Sequence, residues 1–176
     1  MQNIEVKIPL RDRANVERRL EALGARRMWT LRQEDTFFAV ATGWLKLREA
    51  EGRPPEVISY QRSTDHSGPR PSEYDVIVVT DAAAWKRLLG RVLPVEGVVG
   101  KERTLWIYEH TRIHLDRVDG LGEFLELETV VQALDAGAAR AESDRVIRAL
   151  ALNPAEFVAV PYKDLLKPGG GRSARG

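Results

Sequence analysis

The stretch TRIHLDRVDGLGEFLELE, residues 111–128, decides the fold. Ile113 and Leu115 alternate with Arg112, His114 and Asp116; Leu125 and Leu127 alternate with Phe124, Glu126 and Glu128. Successive side chains of a strand point to opposite faces, so each half predicts a strand with one apolar and one ionic face. Asp119-Gly120 between them is a hairpin signal. The predicted strands run over 111–118 and 123–131.

Working outward, the same alternation recurs. Asn3 to Ile8 reads as a strand with Asn3, Glu5 and Lys7 opposite Ile4, Val6 and Ile8. Further strands are expected near 29–40, 44–49, 56–62, 72–79 and 98–109. Asp12, Asp81 and Asp135 stand where N-caps belong, ahead of helices ending near Leu23, Val92 and Leu152. Their predicted apolar stripes are Val16, Leu20 and Leu23; Trp85, Leu88 and Leu89; and Val146, Ile147 and Leu150. Pro154 begins a short helix, 162–166 reads as another, Ser63 to Pro71 is a polar loop, and 168–176 is expected to be a disordered tail. About eight strands with joins too short for crossovers make the class α+β and the sheet mostly antiparallel. A single domain over 1–167 accommodates all of it.

The ionic faces carry like charges in pairs: Lys46 with Arg48, Lys101 with Arg103, Glu126 with Glu128. An ordinary sheet with one wet face explains any one strand. It explains the whole set poorly, because surface charge is usually mixed in sign and three amphipathic helices are available to cover the apolar side. A sheet curled with its apolar side outward would put the charges inside a tunnel. Such an interior is costly unless something satisfies it. A polyanion held by the bases, with divalent cations held by the carboxylates, is the natural occupant.

Composition narrows the function. The chain has 176 residues, is 43% apolar and 30% charged, and carries a net charge of +1. A field that draws in a nucleic acid duplex is not expected from that balance. Of the 27 basic residues 21 are arginine, and arginine forks suit phosphate. With no cysteine there is no disulfide, thiol nucleophile or zinc–thiolate site. The longest strand-like apolar run is 76–79, far short of the roughly 18 residues of a membrane span. Glu5 and Lys7 near the start argue against a signal peptide. The expectation is a soluble cytoplasmic protein.

The segments NIEVK (3–7), DTFF (35–38), WLKLRE (44–49), YQR (60–62), GPRPSEYDV (68–76), KERTLW (101–106) and the 111–128 stretch resemble the CYTH superfamily, the triphosphate tunnel metalloenzymes. Their order and wording are most similar to the class IV adenylyl cyclase-like branch, over about residues 1–165. The resemblance implies a closed eight-stranded antiparallel β-tunnel flanked by helices, binding a triphosphate with Mg²⁺ or Mn²⁺. It implies phosphate-binding roles for Lys7, Lys46, Arg48, Arg62, Arg70, Lys101, Arg103 and Arg112. It implies metal ligation by Glu5, Asp116, Glu126 and Glu128, with Glu5, Lys7 and Asp116 at the reacting groups. The family opens on Glu-x-Glu-x-Lys, and here Asn3 replaces the first glutamate. A homodimer is implied by the cyclase branch.

Two reactions fit such a tunnel. One is cyclisation of ATP to cyclic AMP and pyrophosphate; the other is hydrolysis of an inorganic, nucleoside or thiamine triphosphate. A non-catalytic nucleotide- or polyphosphate-binding module is the alternative, which Asn3 makes credible. His114 reads as a packed or hydrogen-bonded histidine rather than a catalytic base, and His66 and His110 as surface residues. Trp44, Tyr60 and Tyr74 read as core packing more than as contacts to an organic ring.

Overall fold

The computed structural model describes residues 2–62, 69–131 and 135–167. Eight antiparallel strands close into a barrel: β1 (Gln2–Pro9), β2 (Arg26–Phe38), β3 (Trp44–Ala50), β4 (Glu56–Arg62), β5 (Arg70–Val78), β6 (Val95–Tyr108), β7 (Thr111–Val118) and β8 (Gly122–Val130). Around the barrel the order is β1-β5-β4-β3-β2-β6-β7-β8, with β8 pairing back onto β1. Closure removes the exposed edges that an open sheet would present. Among the described residues four helices accompany the barrel, α1 (Arg13–Leu23), α2 (Ala82–Val92), α3 (Ala136–Ala149) and α4 (Tyr162–Leu165), with a 3₁₀ turn over Pro154–Glu156. Among the described residues no helix is long and apolar enough to cross a membrane. The expected tail over 168–176, and most of the expected polar loop, lie outside the described residues.

Asp12, Asp81 and Asp135 do cap their helices, accepting the backbone N–H of Asn15 (2.9 Å), Ala84 (2.8 Å) and Ala138 (2.8 Å). Each such cap contributes about 1 kcal/mol. The outward side chains of β1, β7 and β8 (Val6, Ile8, Ile113, Leu115, Leu125, Leu127) pack under α1 and α3 through Val16, Leu20, Val146 and Ile147. A smaller cluster of Phe38, Leu47 and Val79 packs under α2 through Trp85 and Leu89.

Some boundaries differ from the sequence expectation. β5 begins at Arg70, two residues early, because Arg70 is already in register with Glu5 of β1. β6 begins at Val95, paired with Phe38 at a register shift of β2. Leu88 does not join the stripe of α2: it is 55% exposed, whereas Trp85 and Leu89 face the barrel. The turn from β2 to β3 needs a glycine. Gly43 has φ +70°, and a Cβ there would lie 2.7 Å from the Tyr60 carbonyl oxygen.

Candidate functional site

With the apolar faces turned to the helices, the barrel interior receives the other set. Register stacks that set in rows across neighbouring strands. Glu5, Glu128 and Arg112 form one row; Lys7, Glu126 and His114 the next; Phe124, Asp116 and Arg103 the third. Further round, Asp35 pairs with Arg48, and Phe37 with Lys46. Inside the barrel is a cavity of about 410 Å³, lined by Asn3, Glu5, Lys46, Arg48, Arg103, Arg112, His114 and Glu128, with Trp29, Tyr60 and Tyr74 among its aromatic walls.

The deep end of the barrel holds two ionic knots. In one, Asp35 is 1% exposed and accepts from Arg48 Nε (2.9 Å), Lys101 Nζ (2.9 Å), Lys46 Nζ (3.1 Å) and Gln33 Nε2 (3.1 Å). Burial alone would raise the Asp35 carboxyl, but Arg48, Lys101 and Lys46 outweigh it and hold it well below the usual carboxylate range. Burial, reinforced by Arg48, pushes the Lys46 ammonium down to about 7 against the pull of Asp35.

In the other knot Arg103 donates to Asp116 through Nε (2.7 Å) and Nη2 (2.5 Å), and also to Glu126. Lys7 Nζ lies 3.2 Å from the second oxygen of Glu126 and donates to the Val160 carbonyl (3.2 Å). Despite burial, Lys7 and Arg103 keep Glu126 well below the ordinary range. α4 covers this end. Tyr162 donates its hydroxyl to Asp116 Oδ2 (3.0 Å), and Lys7 Nζ sits 4.1 Å from the centre of its ring. Burial, followed by the charges of Asp116 and Glu126, raises the phenol well above 10.

Nearer the cavity, Arg112 Nη2 pairs with Glu128 Oε2 (3.1 Å) and donates to the Tyr74 hydroxyl (2.8 Å). Burial opposes ionisation of Glu128; His114, then Arg112 and Arg103, outweigh it and bring the carboxyl to about 2. The His114 imidazole is itself lowered to about 4, by burial and then by Arg103, so at neutral pH it is uncharged and the arginines supply that attraction. His114 is packed, as the sequence suggested, but neither of its ring nitrogens has a hydrogen-bond partner among the described residues.

Most sequence-derived candidates therefore share one interior. Glu5, Lys46, Arg48, Arg103, Arg112 and Glu128 line the cavity, while Lys7, Lys101, Asp116 and Glu126 lie buried beyond it. Arg62 and Arg70 lie on β4 and β5, opposite Ser72 and Glu5; only their backbone placement is described. His66 lies outside the described residues, and His110 is a surface residue bonded to Glu142 (3.2 Å). Trp44 stacks on Tyr60 at 5.2 Å, which is the expected packing, yet Tyr60 and Tyr74 also face the cavity.

Sequence reasoning passed over Asp35, Gln33 and Tyr162. Asp35 had a signal: a charge in strand alternation between Gln33 and Phe37 that shares their face. Tyr162 had none, since only the tertiary fold carries α4 across the end of the barrel.

The donor set can be tested against a hard divalent cation. Glu5 and Glu128 are direct cross-strand neighbours, with Arg112 ion-paired to Glu128 at 3.1 Å, so two carboxylates stand side by side on this wall. Asn3 Oδ1 is buried with no hydrogen-bond partner among the described residues and adds a third oxygen to the same wall. These oxygens fit Mg²⁺ or Mn²⁺. Among the described residues no group of three or more histidine or carboxylate side chains is preassembled for a metal. A cation there would complete its shell with water and phosphate oxygens, the usual habit of Mg²⁺.

Comparison with known proteins places this geometry. The CYTH domain family matches residues 1–160. A comparison with curated proteins gives no match. Among solved structures, a Pyrococcus horikoshii protein is similar with a TM-score of 0.83 and 23% identity, covering 93% of this chain and 98% of its own. A candidate adenylate cyclase from Vibrio parahaemolyticus gives 0.78 and 18%, covering 94% and 98%. A candidate adenylyl cyclase from Hippeastrum with a dominant triphosphatase activity gives 0.61 and 14%, covering 90% of each chain. At these identities the structures speak for the fold, and the family match reaches the same barrel from the sequence: this chain belongs to the CYTH family.

Proposed function

We propose that the protein is a divalent-metal-dependent enzyme that cleaves a triphosphate inside the barrel. One observation carries this reading: bases and carboxylates are interleaved on the inner wall around a cavity of about 410 Å³. The family supports it, since its tunnel binds triphosphates and is generally metal-dependent. The Hippeastrum neighbour's triphosphatase activity points the same way.

Phosphoryl transfer asks a protein for positioning and charge neutralisation more than for covalent chemistry. Arg48, Arg103 and Arg112 would fork onto phosphate oxygens, and Lys7, Lys46 and Lys101 would add point charges. Their present partners are the internal carboxylates, so an incoming polyanion exchanges one set of ion pairs for another. That exchange releases Glu126, Glu128 and Asp116 to hold a cation beside Glu5. When bound, the cation withdraws charge from the phosphoryl group and acidifies a bound water. Burial of the bases strengthens each contact as charge builds on the transferring group.

The test is a panel of ATP, inorganic triphosphate and thiamine triphosphate with Mg²⁺ or Mn²⁺, products resolved by phosphorus NMR. Orthophosphate identifies attack by water on the terminal phosphorus. Pyrophosphate with a cyclic nucleotide identifies attack of the ribose 3′-hydroxyl on the α-phosphorus. Either product should disappear in Glu126→Ala. A triphosphate at a hundredfold excess over Kd should stabilise the fold by about 2.7 kcal/mol. Stabilisation without turnover would leave a binding module, and the absence of both would end the triphosphate reading.

A further inference from the structure

His114 is a polar side chain inside the barrel that the proposed chemistry does not use. It projects from the middle of β7 into the cavity wall, its side chain 9% exposed. Burying an imidazole with both nitrogens unpaired has a cost that a core position would avoid by using an apolar residue. Leu105, its cross-strand neighbour on β6, shows that an aliphatic side chain is accommodated on the same wall. On β8 its direct neighbour is Glu126 and its diagonal one Glu128.

The decisive distance is from His114 Nε2 to Glu128 Oε2, 3.7 Å. That is too long for a hydrogen bond. Two donors about 2.1 Å from one ion, at the angles of tetrahedral or octahedral coordination, stand roughly 3.0–3.4 Å apart. The observed gap needs only slight closure to match. Glu128 Oε2 is ion-paired with Arg112 Nη2 at 3.1 Å, while that nitrogen donates its hydrogen bond to Tyr74, so the carboxylate oxygen keeps lone pairs for a cation. Glu5, directly opposite on β1, adds negative charge beside the gap. Asn3 Oδ1 stands on the same wall, also buried and unpaired.

We propose that His114 Nε2 and Glu128 Oε2 form a mixed nitrogen–oxygen cation site, taking a borderline ion such as Co²⁺ or Zn²⁺ in preference to Mg²⁺. The idea rests on the reading of the barrel as a metal-and-triphosphate site, and deepens it. Carboxylate and water suit Mg²⁺, whereas imidazole suits the later first-row ions. One inner wall then sorts two kinds of cation: the all-oxygen side around Asn3 and Glu5 for the hard ion, the His114–Glu128 gap for the softer one. Water and phosphate oxygens complete both shells.

The test uses the full chain and metal alone. Zn²⁺ is titrated into ¹⁵N-labelled wild-type protein while the imidazole signals of the three histidines are followed. The His114 Nε2 signal should move and saturate at one ion per chain, with His110 unmoved. Calorimetric titration with Co²⁺ should show affinity at least about tenfold weaker in both His114→Gln and Glu128→Gln, with Mg²⁺ affinity unchanged in His114→Gln. An unmoved His114 signal overturns the proposal, and that measurement needs no variant to fold. So does wild-type Co²⁺ affinity in a folded His114→Gln. So does an imidazole that responds to tripolyphosphate alone, which would make it a phosphate donor. Failure of tripolyphosphate plus Mg²⁺ to raise the melting temperature would remove the triphosphate reading while leaving the Zn²⁺ titration free to judge His114.

Discussion

Asp35 occupies the point where buried Lys101 and the cavity-lining Lys46 and Arg48 converge, an anion built into the chain at a place suited to a bound one. Removing its charge leaves Lys46, Arg48 and Lys101 facing one another in a site of low dielectric. Breaking a buried ion pair costs about 3–5 kcal/mol. Asp35→Asn should therefore lower the melting temperature sharply, and saturating tripolyphosphate should recover more of it than it adds to the wild type. Equal shifts in the two proteins would show that phosphate does not reach these bases. Lys46 gives a second residue-scale expectation. Its ammonium, at about 7, is largely uncharged at pH 8, and a phosphate beside it restores the proton. Binding of tripolyphosphate at pH 8 should take up a proton, seen by calorimetry in buffers of different ionisation enthalpy. Lys46→Arg should abolish that uptake. At this scale much of the site was legible, because a strand's period of two displays like charges on one face. Asp35 was passed over because its strand has no clean apolar face: Glu34 and Thr36 alternate with it, and Phe37 and Phe38 follow on both sides.

Elements carry the next level of control. α4 is four residues long and could not persist by helix propensity alone. It is held by Tyr162, by the ion pair of Lys163 with Glu96 (2.6 Å), and by Phe124, whose ring meets Tyr162 edge-on at 5.1 Å. Tyr162→Phe keeps the packing and deletes the bond to Asp116. It should cost about 1–2 kcal/mol in denaturant unfolding. A loss well under that would show that the hydroxyl adds little to holding α4. The β2–β3 turn offers a complementary case. Gly43→Ala puts a Cβ against backbone at a positive φ, and should destabilise by more than the ordinary glycine-to-alanine gain of about 0.4–1 kcal/mol could offset. Hairpins and caps were readable from local sequence because their partners lie within a few residues. The position of α4, the early start of β5 and the exposure of Leu88 were not, since each depends on which strand arrives from far along the chain.

At the scale of the molecule the net charge of +1 hides a strongly polar interior. Asp35 and Glu126 are held well below the usual carboxylate range and Glu128 at about 2. Depressed carboxyl pKa values give stability that is complete above the unfolded value, near about 4, and is lost as pH falls through the folded one. The melting temperature should begin to fall below about pH 6.5, where an unfolded imidazole takes the proton that buried His114 refuses, and should fall steeply between pH 4 and pH 2, followed by circular dichroism. A chain whose melting temperature is unchanged at pH 3 would contradict the ionic arrangement described above. Barrel closure itself was inferable because the apolar sides of the strands had helices to cover them, leaving the ionic sides to face inward.

Tyr162 and its helix turn the pipe into a cup. On the proposed function, with α4 standing across one end among the described residues, reactant and both fragments pass by the other, and whatever is lodged against Tyr162 waits for its companion to clear the way. Spent phosphate should then compete directly with fresh substrate, and turnover should be paced by emptying the vessel as much as by breaking the bond.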